Sequence, residues 1–436
     1  MNILHSVGIL LTFCALFAYI NQRSLRLPPV LAMTIMSIVF ALGILVAGKV
    51  GILPLAEIRT FVRSFNFADL VLHGILPLLL FAGSLFVNFD QTFRWAKPIL
   101  ALATVGVFLS ALVVGTLLWL TIPFLTFFHV ELSFWWCLLF GAVIAPTDPI
   151  AALAIVKKAG APKEMETKMV GESLTNDATG VMMFLIVLGI VQTGEVSTRL
   201  LIQELFFAPL GGVVLGVVGG WIATKAIRTV DHHPTEILMT LALATGVYSL
   251  AEVVHASAPI AVVVAGLVIG YKARGQAMSE KTREHMDAFW EGMDEVINAL
   301  LFALIGLELL VIADDVSWSI IAVGVLAWVI VLVGRWAGVF GSLLPLHRSG
   351  GLGKGTTRVM VWGGLRGGIS LALALSLPQG PEANVLVVLT FIVVILSSVV
   401  QGLTLNRIIP RQVEADATDP DALHEEDPVP PAAPPV

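Results

Sequence analysis

The chain has 436 residues, 57% of them hydrophobic and 13% charged, with a mean hydropathy of +0.92 and a formal charge of −6. A water-soluble domain cannot hide that much apolar surface, so lipid is the solvent for most of the chain. The acidity gathers in the last 26 residues, where seven acids and one base follow from Arg411 on, and the near-neutral remainder excludes nucleic acid as a partner.

The first apolar stretch, Ile3 to Ile20, has no basic residues before it and no A-x-A site after it, so it reads as a retained span. Apolar runs between charged or Pro/Gly-rich breaks predict thirteen helices, near 3–20, 28–48, 67–88, 97–121, 133–156, 169–192, 201–224, 235–254, 258–271, 288–312, 317–343, 358–378 and 384–408. Cys14 and Cys137 fall inside such runs, so no disulfide framework is implied. The connections supply an independent test. Nineteen of the 25 Lys and Arg fall on one side, and Lys49, Arg59, Arg63 and Arg199 on the other. Positive charge marks the cytoplasmic side, which places the N-terminus outside and the C-terminus inside. Residues 1–410 form the membrane domain, and the proline-rich acidic tail 411–436 reads as disordered.

The remaining two bases, Arg335 and Arg366, lie within apolar spans, as do Asp148, Glu172, Asp177 and Glu252. Charges there are costly and are paired or functional. The fifth span reads GAVIAPTDPIAALAIVKK. Pro146 and Pro149 each lack a backbone donor, which predicts an opening around Thr147-Asp148. Bare carbonyls, the Thr147 hydroxyl and the Asp148 carboxylate are oxygen ligands suited to a small cation. A proline kink with Asp148 capping the second half-helix is the plainer alternative.

The sixth span opens GESLTNDATG. Glu172 and Asn176 are four apart, as are Ser173 and Asp177, so the four form one polar patch. A bare carboxylate deep in a membrane is expensive, so Asp177 holds either a proton or a cation. The alternative is a cytoplasmic helix start capped by Ser173 or Asn176. In the eleventh span Arg335 needs a partner; Glu172 is the best candidate, with Asn176 bridging, and snorkelling to the surface is the alternative. The twelfth span, WGGLRGGISLALALSLP, places four glycines around Arg366, which permits a second break or simply close packing. Two interrupted spans far apart in sequence are the mark of inverted-repeat transporters, and Asp148 and Arg366 could offset the end charges of opposed half-helices. Glu252 and His255 read as a structural pair rather than metal ligands, His73 as a core histidine, and Asp231-His232-His233-Pro234 as a solvated loop.

The blocks APTDPIAALAIVKK, GESLTND, GRWAGVF and GGLRGG, with AEVVHASAPIAVVVAGLVIG and NALLFALIGLEL, resemble the bacterial NhaP type of the sodium/proton exchanger branch of the cation:proton antiporters. The resemblance covers nearly the whole membrane body. It implies an all-α polytopic NhaA-like fold with inverted repeats, and crossed broken helices at spans five and twelve. Asp177 would be the ion- and proton-binding carboxylate, with Thr147, Asp148 and Ser173 shaping the monovalent-cation site. Asn176, Glu172 and Arg335 would form the supporting network, and Arg366 would stabilise the broken helices. It also implies a homodimer in an inner membrane, with an interface part (1–90 and 235–312) and a moving core (97–192 and 317–408). No cofactor is expected beyond the transported Na⁺ and H⁺, and exchange is expected to be electroneutral. Where some members carry a third-span glutamate, this chain has Ala82. A K⁺/H⁺ antiporter is the alternative of the same fold. A cation channel would need a filter repeat that is absent from the sequence, and a protease-like use of Asp148 and Asp177 is disfavoured by their separate polar neighbours.

Overall fold

The computed structural model describes residues 3–87, 89–123, 132–148, 152–153, 156, 163–274, 278–314, 316–344, 354–405 and 407–409. The acidic tail, Pro149 and the Lys157-Lys158 pair lie outside the described residues. What is described is helical, with no strand beyond one isolated bridge.

Among the described residues ten helices are long and apolar enough to cross a membrane: α1 (Val7–Leu25), α2 (Pro29–Lys49), α3 (Leu55–Leu85), α4 (Ala96–Thr121), α6 (Met165–Thr193), α7 (Thr198–Ile227), α8 (His233–Val253), α10 (Glu280–Ile312), α11 (Trp318–Leu343) and α14 (Pro381–Leu405). The three other predicted spans are different objects. α5 (Phe134–Val143) stops where Pro146 removes a donor. α9 (Ala258–Ala273) is short. The twelfth span is two pieces, α12 (Lys354–Trp362) and α13 (Gly368–Leu375), parted at Gly363–Gly367.

Three predicted starts move by six residues or more; that of α3 goes from 67 to Leu55. α10 begins at Glu280, eight residues before the expected 288, where Ser279 accepts from Thr282 N as an N-cap. The helix containing α6 runs from Lys163, so Glu172 and Ser173 stand well inside it and the capping alternative falls away. Hydropathy alone places a start where polarity ends; these helices begin within the polar residues that precede the apolar run.

Apolar side chains form two buried clusters. One joins α2, α4, α5, α11, α13, α14 and the second half of α10. The other joins the end of α3 to α8, α9 and the first half of α10. Lipid offers no hydrophobic drive between helices, so close packing supplies the attraction. On α7, Gly212, Gly216 and Gly220 recur every fourth residue against α9; a Cβ at Gly220 would lie 2.8 Å from Val268 Cβ. Between α4 and α5, a Cβ at Gly115 would lie 2.6 Å from Leu138 Cα.

Candidate functional site

After α5 the chain runs without helix from Ala145 to Asp148, and after α12 it does so again through Gly364 to Gly367. The two stretches meet in an antiparallel bridge, with Asp148 N donating to Leu365 O at 2.8 Å. Unwound backbone inside a membrane protein must find partners within the protein. Arg366 supplies them: its Nη1 donates to Ala145 O at 2.6 Å and to Pro146 O at 3.0 Å. A cation thus sits at the carbonyl end of α5, where the helix dipole is negative. Asp148 occupies the complementary place. A Cβ at Gly367, the residue before α13, would lie 2.6 Å from Asp148 Oδ2, so a side chain there would evict the carboxylate. A glycine at this position lets an anion approach the positive end of α13.

α6 lies against these breaks. Gly180 packs on Pro146, where a Cβ would lie 2.5 Å from the ring Cγ. Asn176 Nδ2 donates to Thr147 Oγ1 at 2.5 Å, and Thr147 N approaches Asn176 Oδ1 at 3.4 Å. The Ser173 hydroxyl donates to Thr147 O. Its one proton is spent there, so its lone pairs stay available.

One turn lower, Glu172 takes a bidentate pair from Arg335, Nη1 to Oε1 and Nη2 to Oε2, the latter at 2.9 Å. Arg335 also donates to Met360 O from Nε at 3.3 Å and Nη2 at 3.0 Å, tying α11 to α12. Both side chains are buried, so Arg335 does not snorkel. Asn176 is not the bridge expected between them; its amide is committed to Thr147. A cavity of about 10 Å³ opens here, lined by Thr147, Asp148, Glu172, Ser173 and Arg335 among others. That is room for roughly one water.

Asp177 stands apart from this satisfied network. It is 7% exposed, and its Oδ1 is buried without a hydrogen-bond partner among the described residues. Asp148 is the charge that acts on it, and the two have the same sign. An unpaired buried carboxylate oxygen is expensive, and a proton or a cation removes the cost. Ala82 is buried on α3 and offers no oxygen.

Residues 9–410 match the family described as sodium/hydrogen exchanger, transmembrane. The chain belongs to the sodium/hydrogen exchanger family. It is 44% identical to the Na⁺/H⁺ antiporter NhaP of Pseudomonas aeruginosa over 412 residues, 93% of this chain and 96% of the relative. It is 34% identical over 358 residues to the Na⁺/H⁺ antiporter NhaH of Halobacillus dabanensis, 81% of this chain and 85% of that one. The solved structure of the sodium proton antiporter MjNhaP1 from Methanocaldococcus jannaschii at pH 8 matches with a TM-score of 0.74 at 19% identity, covering 95% of this chain and all of that one. At that identity the likeness speaks for the fold of this exchanger-family chain.

Several polar residues are placed differently from the sequence reading. His73 is not a core residue: its side chain is 54% exposed, with Nδ1 2.8 Å from Asp69 Oδ1 and Nε2 3.3 Å from Glu252 Oε1. Glu252 therefore pairs with His73, and not with His255, which turns the chain at φ 57°. The Asp231 loop is held rather than merely solvated, since Asp231 accepts from Ser279 Oγ at 2.9 Å and His233 stacks on His285. Lys168 is buried with its Nζ 3.4 Å from the centre of the Trp95 ring. Asp294, Asn298 and Glu308 on α10 are polar residues that the span reading does not single out, although Asp294 and Asn298 have the four-residue spacing of the α6 patch.

Proposed function

We propose that this chain exchanges Na⁺ for H⁺ across the membrane by alternating access, with Asp177 as the carboxylate both ions use in turn. The unpartnered, buried Asp177 Oδ1 carries the reading. Neutralised by a proton or a cation, the site can move through a low-dielectric barrier; bare, it moves poorly, and this couples the two fluxes without contact between the ions. Asp148, Thr147 and the free lone pairs of Ser173 would complete the oxygen set around the transported ion. Glu172, Arg335, Asn176 and Arg366 hold these groups in place. The fourth-to-sixth and eleventh-to-fourteenth helices would move against a dimeric frame of α1–α3 and α8–α10. With one carboxylate doing the exchange, one H⁺ replaces one Na⁺, which predicts an electroneutral cycle. The N-terminus faces outward and the tail the cytoplasm, following the Lys and Arg distribution.

The test is proteoliposomes with a trapped pH dye, to which Na⁺, Li⁺ or K⁺ is added with and without a potential clamp. Cation-driven proton movement that ignores the clamp and falls at least a hundredfold in Asp177→Asn is the expected result. Undiminished exchange in that variant removes Asp177 from its role, and cation flux without proton movement favours a channel. A response to K⁺ alone would assign the chain to K⁺/H⁺ exchange, a change that Ala82 in place of a third-span glutamate makes worth checking.

A further inference from the structure

α10 carries a second unneutralised polar pair on its way to the broken segments. Trp290, Asp294, Asn298 and Leu301 follow one another at three- and four-residue spacing, so they form one column on the helix. The lower end of the column is anchored, with Trp290 Nε1 donating to Thr240 Oγ1 at 3.1 Å. Its upper end reaches α13, where a Cβ at Gly368 would lie 2.7 Å from Leu301 Cγ. The preceding residue, Gly367, is the one packed against Asp148. From Asp294 to Leu301 is seven residues, about 10 Å along the helix.

Asn298 is 4% exposed and its amide is turned back on the Asp294 backbone: Nδ2 donates to Asp294 O at 2.8 Å. Asn298 Oδ1 is left buried without a partner among the described residues. Among the described residues Asp294 has no salt bridge, and the adjacent Glu295 has the same sign. The neighbouring Met293 packs against both apolar clusters, so this turn of α10 lies where the two clusters meet. A carboxylate and an orphaned amide oxygen, uncompensated and one turn apart, form an oxygen pair that a monovalent cation would satisfy.

We propose that Asp294 and Asn298 form an accessory cation-binding step on the Glu280 side of Asp177, which gathers the transported ion before it reaches the broken segments. This rests on the exchange reading above. The step raises the local cation concentration and leaves the chemistry at Asp177 alone, so its loss changes apparent affinity and not turnover.

The experiment measures initial exchange rates against Na⁺ concentration for wild type, Asp294→Asn, Asp294→Glu and Asn298→Ala in proteoliposomes, with Asp177→Asn as control. Asp294→Asn is expected to raise the KM for Na⁺ three- to tenfold with kcat within twofold, and Asp294→Glu to restore most of the loss. Screening with choline chloride should raise the wild-type KM towards that of the variant. Asn298→Ala, which keeps the charge, should raise KM two- to threefold and serves if Asp294→Asn does not fold. An unchanged KM in Asp294→Asn and Asn298→Ala, with Asp177→Asn inactive, overturns the accessory step and leaves the exchange reading standing. KM and kcat falling together in Asp294→Asn, without rescue by glutamate, assigns the pair a structural role only. Wild type that moves no protons in response to cations overturns both readings.

Discussion

Glu172 and Asp177 lie five residues apart on one helix, about 7.5 Å along its axis, and both are buried. Their surroundings are opposite. Glu172 has a guanidinium on both oxygens, and that guanidinium is further held by Met360 O. Asp177 has an oxygen with no partner among the described residues, and Asp148, of like charge, acts on it. Burial alone does not mark a working carboxylate; unsatisfied burial does. Under the proposed exchange reading the Glu172 level is scaffold, fixed because its polar atoms are answered, and the Asp177 level stores a cost that the cargo would relieve.

The largest expected effect tests that contrast by its sign. Glu172→Gln leaves the Arg335 charge buried with a carbonyl for company and should cost about 3–5 kcal/mol of stability. Asp177→Asn removes an unanswered charge and should leave the melting temperature in detergent equal to wild type or higher, while exchange is lost. Replacing Glu172 and Arg335 together by Met should recover much of the loss, since no charge is then orphaned. The division between scaffold and cargo levels fails if Asp177→Asn is destabilised as much as Glu172→Gln.

A smaller effect is expected at Asn176, on the turn between the two levels. Its amide answers Thr147 Oγ1 and Thr147 N. Asn176→Ala strands these buried groups, at about 1–3 kcal/mol, and lets the unwound stretch drift from α6. If Asn176 belongs to the cargo level, the KM for Na⁺ rises about tenfold. A fall in melting temperature with an unchanged KM would place it with Glu172 instead.

The sequence made this site legible to different depths. Pro146 and the glycines around Arg366 announced both interruptions, because a missing donor and a missing Cβ act through local backbone. The Glu172–Arg335 pair could be expected because two lone membrane charges must find each other. What spacing could not supply was direction. Arg366 answers the carbonyls of the other broken segment, and Asn176 serves Thr147 instead of bridging Glu172 to Arg335. These choices depend on how α6 and the two breaks are rotated, which packing decides. His73 departs from the sequence reading for a related reason: exposure and burial along a span follow the neighbouring helices, not the local hydropathy.

The weakest effect concerns the same bidentate geometry in water. Arg59 Nη2 donates to Asp314 Oδ1 at 2.9 Å and Nη1 to Oδ2, repeating the pattern of Arg335 on Glu172, but the Asp314 side chain is 72% exposed. Asp314 lies between α10 and α11, where the Arg59 hydrogen bond holds its carboxyl below the usual carboxylate range. A lowered folded value means that the stabilisation is present above the unfolded value near ~3.9 and is lost as pH falls through the folded one. Solvent screening keeps it small, so Asp314→Asn should cost less than about 1 kcal/mol at pH 7. The difference in melting temperature from wild type should shrink towards zero in 1 M NaCl and again on acidification below the carboxylate range. Geometry is shared by the two pairs and dielectric is not. A penalty at Asp314 as large as at Glu172, insensitive to salt, would mean that the bidentate contact itself, and not its burial, makes the Glu172 level rigid.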